Sequence, residues 1–495
     1  MLLEKAKSAT LVVLFTICAY LSGLFLFDNN AVSAKASQMT AFTSVNIEDL
    51  LNPRSCHVSF GGGLYSGTFE PTLNTRLWEE ASGFIRVALE VPSYQLIDQI
   101  EWDLGNTRRG VTINLPFAMT TDQILASTAS SYSRNVLGQA TFDTIVINTG
   151  ASQVVMFGNN KQSAYYKFSL NGSMASLAIT LTEIENDSNT IEYKRLEDIF
   201  SLRKILEEPG NLYQENHIVE PIVGLPGFEP VRVANELALQ TLSENQERKY
   251  ADIAFGERFD FVKRVTEVDG SIVYLYGYGD RALRFGVGGS FEYQERYSES
   301  APSSYSPTFR DGLKKAVAEL NKYGEMPENL NLLNYSETEE IEGQKVKRYN
   351  FGYKLNGRLV YLMPQDLGYA ATVELTNNQL THLKRNFKIV QKNAISEDDI
   401  QPVLGMDELI DKNYDLILKN YLKAKPESAS KKDDFEFVYQ ILHDVTFFQP
   451  VYVLQKDTAG LFYKPAWRLS IGPHSYYFDL YHGDLLQSES TLGVK

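Results

Sequence analysis

Residues 8–27 carry no charged side chain, running from Ser8 through Leu11, Phe15 and Tyr20 to Phe27. At about 1.5 Å per residue, a helix of that length crosses the roughly 30 Å hydrocarbon core of a bilayer. Lys5 and Lys7 precede the run and Asp28 follows it. The positive-inside bias then keeps the short N-terminal tip in the cytoplasm and sends the rest of the chain outward. A cleaved secretory signal competes, because Ala34, Lys35 and Ala36 have the small-residue spacing that a signal peptidase accepts. Signal h-regions are usually about 7–15 residues, however, and this run is longer and set apart from that site. The expectation is an uncleaved single-pass anchor in the cell membrane with an extracellular body. Whether the site at 34–36 is ever cut stays open, and either reading exports the body.

No second stretch approaches spanning length, and a hydrophobic content of 43% is ordinary for a chain that buries a core. The formal charge of −15 argues against a nucleic-acid surface, which needs a basic patch to displace counterions, and against broad adhesion to anionic lipid. Of the two cysteines, Cys18 falls inside the apolar run and Cys56 outside it. The exported body therefore has no internal bridge and relies on packed cores.

The expected fold class is α+β: an N-terminal transmembrane helix followed by three extracytoplasmic domains. Residues 1–30 form the cytoplasmic tip and anchor. Residues 31–207 form a β-rich domain, in which Val111, Ile113, Leu115 and Phe117 alternate and short β-type runs occupy 144–147, 154–157 and 165–170. Helical spacing at Leu196, Ile199, Phe200 and Leu206 leads into 208–230, a stretch rich in proline and glycine that reads as a boundary. Residues 208–340 read as antiparallel strands plus helices, with helices expected at 235–247 and 311–323 and strands at 271–278, 282–285 and 291–297. Residues 341–495 open with the clearest hairpin, at Asn356 and Gly357, where Tyr349, Phe351, Tyr353 and Leu355 alternate into a pair suited to a type I′ turn. A second hairpin is expected at Asn377 and Asn378, then a helix between Pro402 and Lys423.

Catalytic constellations are hard to find. The histidines at 57, 217, 382, 443, 474 and 482 form no His-Glu-x-x-His, and there is no Cys-x-x-Cys. His482 with Asp479 and Asp484 reads as a solvated turn more readily than as a metal or base cluster. Ser201 and Lys204 have the Ser-x-x-Lys spacing without its companion motifs, and Cys56 beside Val58 and Phe60 reads as a packed thiol. Glycines 61–63 and 286–289 lie between β-type runs and read as turns. The carboxylate pairs Glu79-Glu80 and Asp398-Asp399 imply no hydrolysis by themselves. No catalytic, cofactor-binding or metal site is expected. Within the apolar run, Thr16, Ala19, Tyr20 and Gly23 share one helical face, and small residues there let a second transmembrane helix approach closely.

Asn52-Pro53-Arg54, the stretch 58–63, Trp78, Gly110 to Asp122 (GVTINLPFAMTTD), 261–265, Asp269-Gly270-Ser271, 281–285, 351–357 and Pro465-Ala466-Trp467 together resemble the YycH family. Members are membrane-anchored accessory regulators of the YycG (WalK) sensor histidine kinase. The last part, from 351 onward, is also similar to the partner protein YycI. The resemblance implies a non-enzymatic regulator of an essential cell-wall two-component system, with YycG/WalK and YycI as partners and a transmembrane helix that touches the kinase helices. The segment 208–230 is not accounted for by it, and homodimerisation, the external signal and the sign of regulation stay open. Two alternatives remain: an extracytoplasmic ligand-binding module with a pocket in the first block, and an exported cell-wall enzyme.

Overall fold

The computed structural model describes residues 47–490 apart from internal stretches, the longest being 196–218, 392–402 and 427–439. The apolar run at 8–27, with Thr16, Ala19, Tyr20 and Gly23, lies outside the described residues, as does the Ser201/Lys204 pair. Among the described residues no helix is long and apolar enough to cross a membrane.

The architecture is α+β, with two large mixed assemblies of strands and helices. The first sheet has nine antiparallel strands; its outer members are β3 (Gln95–Ile97) and β7 (Ala164–Ser169) on one side and β2 (Leu64–Thr68), β8 (Glu192–Arg195) and β9 (Val219–Pro221) on the other. Its centre is β1 (Ser55–Gly61), β4 (Gly110–Thr120), β5 (Thr141–Asn148) and β6 (Val154–Asn159). Helix α2 (Pro71–Glu90) lays Leu77, Trp78, Ala81, Ile85 and Leu89 on one face, a helical period, and buries them against the sheet. On the opposite face α3 (Gln99–Thr107) inserts Trp102 among Val146, Val154, Met156 and Tyr165. Two covered faces explain why β6 is buried at every position and why its sequence is a continuous apolar run rather than an alternation. At Gly158 a Cβ would stand 2.5 Å from the Trp102 ring, so this strand position must be glycine for the indole to lie flat.

The second sheet has fifteen strands. A meander of β11 (Lys263–Thr266), β12 (Ile272–Tyr276), β13 (Arg281–Phe285) and β14 (Phe291–Glu295) continues through β14 into β19 (Gln379–Arg385), β18 (Ala371–Thr376) and β16 (Lys345–Leu355). β15 (Leu330–Glu339) pairs antiparallel along the length of β16. β17 (Arg358–Tyr361) pairs parallel with β21 (Val445–Asp457), which leads to β22 (Gly460–Ile471), β23 (His474–Asp479) and β24 (Leu485–Ser490). Both expected hairpins are present, with φ of 49° and 76° at Asn356 and Gly357 and of 45° and 69° at Asn377 and Asn378. Helix α7 (Phe309–Lys322) buries Leu313, Ala316, Val317 and Leu320, and α8 (Met406–Ala424) occupies the expected position after Pro402. Trp467 stacks on Phe448 at 4.4 Å and donates its indole N–H to the Leu404 carbonyl just ahead of α8.

The helix expected at 235–247 is displaced. Val231–Asn235 is strand β10, paired with β22 and with β20 (Lys388–Val390), and the helix α6 runs over Glu244–Phe255. Ser243 sets its start: its hydroxyl accepts the Gln246 amide, and the Gln246 side chain returns to the Ser243 N–H at 3.0 Å. This capping box is a stronger local signal than the apolar spacing upstream of it.

Arg385, only 1% exposed, spends all five of its N–H donors. Nε and Nη2 fork onto the Glu236 carboxylate, Nη1 reaches the carbonyls of Leu320 and Gly324 at 3.0 Å, and Nη2 also reaches that of Glu325 at 2.9 Å. One side chain on β19 thereby closes the C-terminal end of α7 and fixes the residue that follows β10. Arg385→Met strands the Glu236 carboxylate and three carbonyls, and should cost about 3–5 kcal/mol in denaturant unfolding; Arg385→Lys should recover only part of this, because an ammonium cannot fork. A loss below about 1 kcal/mol for the Met variant would contradict this role.

His382 on β19 sits between Glu292 of β14, 2.8 Å from Nε2, and Glu374 of β18, 3.7 Å from Nδ1. Burial alone would lower the imidazole pKa, but the two carboxylates outweigh it and raise it to about 9. Because the folded value exceeds the unfolded value of about 6.5, the stabilisation is complete below that pH and is lost as pH rises through about 9. The stability gap between the native chain and His382→Gln, measured by thermal unfolding, should be widest near pH 6 and smallest above about pH 9.

Candidate functional site at the junction of the two sheets

The two sheets meet where β4 and α4 (Thr121–Ser127) face β15 and α7. Phe117, Phe309 and Tyr335 form an aromatic seam with ring separations of 5.0–6.4 Å. Arg310 at the start of α7 pairs with Glu48 of α1 (Ile47–Leu50). The apolar core runs without interruption from one sheet to the other.

Beside this seam the junction leaves a cavity of about 490 Å³, within the range of small-molecule sites. Asn52, Arg54 and Pro116 line it from the first sheet, and Lys354, Tyr361 and Arg468 are among those lining it from the second. Each cation is placed by ordinary strand geometry. Arg54 precedes β1, where its amide donates to the Asn114 carbonyl at 2.7 Å. Lys354 lies near the end of β16, one residue before the hairpin strand closes, and Arg468 is an inward position of β22.

The electrostatics of the cavity are unusual for a chain of formal charge −15. Among the described residues no carboxylate lies within ion-pair distance of Arg54, Lys354 or Arg468. Arg54 and Arg468 instead share the Phe447 ring, at 5.5 and 4.5 Å from its centroid, and Arg468 also lies 4.7 Å from the Tyr361 ring, whose hydroxyl accepts its Nη1. The Nε–H groups of both arginines are buried without an acceptor. Burial pulls the Arg54 pKa down, and Arg468 pushes it the same way. The Lys354 ammonium crosses the junction to donate to the main-chain carbonyls of Asn52 and Pro53. Burial, with Arg54 adding to it and the Cys56 sulfur opposing, lowers its pKa to about 8. The one acid on the rim, Glu489, is exposed and is engaged by Gln487 at 2.8 Å and by the Tyr477 hydroxyl at 3.3 Å.

The residues considered as catalytic from sequence are placed elsewhere; of them, His482 and Asp479 are brought together, with Nδ1 3.1 Å from Oδ1, and neither meets Cys56. Cys56 is buried in the first sheet, with its thiol pushed up to about 12 by burial, and the adjacent His57 is pulled down to about 4 by the same cause. At neutral pH this is a packed thiol beside a neutral ring. Asp479 accepts the backbone N–H groups of Tyr481 and His482 and the Lys464 ammonium at 2.6–2.9 Å, while Asp484 pairs with Lys412, so the His482 cluster is a turn held by hydrogen bonds. Among the described residues no group of three or more His, Cys, Asp or Glu side chains could hold a metal ion. Glycines 61–63 have φ between 66° and 86° in the β1–β2 turn, and Gly289 turns β13 into β14. Glu80 is tied to Arg76 and Thr180 between α2 and α5 (Ala175–Asn186); Asp398 and Asp399 lie outside the described residues. The cation cluster had no counterpart in the sequence reading, because no spacing motif joins residues 54, 354 and 468.

Because the folded pKa of Lys354 is below its unfolded value of about 10.5, the unfolded chain holds the extra proton between about pH 8 and 10.5, and stability rises with pH across that window. Relative to Lys354→Met, the native chain should gain stability between about pH 8 and 10.5 in thermal unfolding. A flat difference would place the ammonium in solvent.

No family model matches the sequence, and no curated protein matches it. Among solved structures, the uncharacterized protein from Eubacterium rectale ATCC 33656 shares 12% identity over 52% of this chain and 86% of its own, with a TM-score of 0.32. The crystal structure of YycH from Bacillus subtilis aligns with 88% of this chain and 96% of its own length, at 11% identity and a TM-score of 0.50. The resemblance to YycH read from the sequence motifs is therefore met in three dimensions: over most of its length, this chain is similar in fold to YycH.

Proposed function

We propose that this chain is a membrane-anchored, non-enzymatic accessory regulator of a YycG (WalK)-type sensor histidine kinase, working with a YycI-type partner. The observation that carries this reading is the fold likeness to YycH, which extends across both sheets rather than over one motif. The apolar run at 8–27 supports it, because a regulator of a membrane kinase must be held beside it. In this mechanism the body contacts partner ectodomains while Thr16, Ala19, Tyr20 and Gly23 pack against a kinase helix. Regulation then requires that the chain bind two kinase states with different affinity.

Affinity capture of the full chain from intact membranes should recover a histidine kinase; repeated capture without one would overturn the reading. Ala19→Leu with Gly23→Leu should weaken membrane cross-linking to that kinase several-fold, on the order of 1 kcal/mol of helix packing. Unchanged cross-linking and kinase output would dispose of the helix interface while leaving the ectodomain contact standing.

A further inference from the structure

Three cations with no acid at ion-pair distance among the described residues, only the more distant charges of Glu489 on Arg468 and Asp143 on Arg54, are expensive to hold together. Each loses hydration on burial, and Arg54 and Arg468 repel one another across a single aromatic ring. The aromatic faces offset part of this, but they leave two buried guanidinium N–H groups without acceptors. Structural arginines in this protein are treated differently. Arg385 has an acid and three carbonyls, and Arg232 forks onto Asp457 at 2.7–2.8 Å. The cations of the junction surround open volume instead, and the wall beside them is apolar and aromatic, with Leu333, Leu362 and Tyr369.

We infer that the junction cavity is a binding site for a small organic oxyanion, a molecule bearing a phosphate or carboxylate group that Arg54, Lys354 and Arg468 clamp while its body lies against Leu333, Leu362 and Tyr361. Guanidinium groups suit this task because their planar forks match the geometry of both anions, and the Lys354 ammonium adds a point charge. A volume of about 490 Å³ admits an anionic group with a short organic body and does not admit a folded partner. The clamp draws on both sheets, so an occupant binds only where the two are docked, and occupancy stabilises that docking by mass action. The site stands independently of the kinase reading.

The test uses the full chain purified in detergent and titrated at constant ionic strength with inorganic phosphate and with citrate, read by calorimetry and by the shift in melting temperature. Vesicles of phosphatidylglycerol, against phosphatidylcholine, separate a lipid headgroup from a free anion. Saturable binding of phosphate or citrate is expected, weakened about tenfold or more in Arg54→Gln and Arg468→Gln and retained in Arg232→Gln. Binding confined to phosphatidylglycerol vesicles and lost in the same two variants supports the oxyanion clamp with a headgroup as its source. Equal binding by native chain and both variants overturns the proposal, as does the absence of saturation by about 10 mM with every probe. Near-UV circular dichroism checks that the variants fold; where one does not, Arg468→Lys, which keeps the charge and loses the fork, takes its place and should show intermediate weakening. The native titration decides against the site by itself if it is flat.

Discussion

The buried guanidinium of Arg385 is the interaction on which the second sheet depends. It projects from β19, the strand that joins the β11–β14 meander to the rest of the sheet, and it satisfies at once a carboxylate beyond β10 and three carbonyls at and beyond the C-terminal end of α7. A helix end buried without such donors would leave its carbonyls orphaned. The same strand carries His382, which holds β14 and β18 through two carboxylates. One strand therefore supplies two of the polar ties of the fifteen-strand assembly, while apolar packing supplies the bulk of its stability.

The junction between the sheets shows the opposite arrangement. Around Arg385 every donor has an acceptor; Arg54 and Arg468 each keep a buried Nε–H without one, lie over the Phe447 ring, and line the cavity. Lys354 is intermediate, reaching two carbonyls of the opposing unit at the expense of a lowered pKa. This contrast between fully used and partly used cations, within one chain of net negative charge, separates a structural arginine from a site that has room for an anion. It also places the cavity where the two halves of the YycH-like fold meet, a position from which occupancy can act on their docking.

Much of the local architecture was legible from residues. The Asn356-Gly357 and Asn377-Asn378 turns, the apolar stripe of α7 and the run of β6 follow from positive φ, helical period and two-faced burial. The misplaced helix near 235 shows the limit of apolar spacing, since β10 is held by partners more than 150 residues away and Ser243 starts the helix later. Arg54 and Lys354 stood within stretches that carried the family resemblance, yet nothing local marked them as neighbours. The reading of Cys56 as a packed thiol agrees with its place, because alternation of Val58 and Phe60 in β1 already implied a buried strand.

The sequence by itself determined the charge balance, the uncharged run at 8–27, the hairpin turns and the resemblance to YycH, because each is written in neighbouring residues whose spacing has direct physical meaning. Only the tertiary structure decided that Arg54, Lys354 and Arg468 converge on one cavity and that Arg385 meets its partners. Such contacts depend on strand order and on the docking of two sheets, and those are fixed by the summed burial of many side chains rather than by any motif.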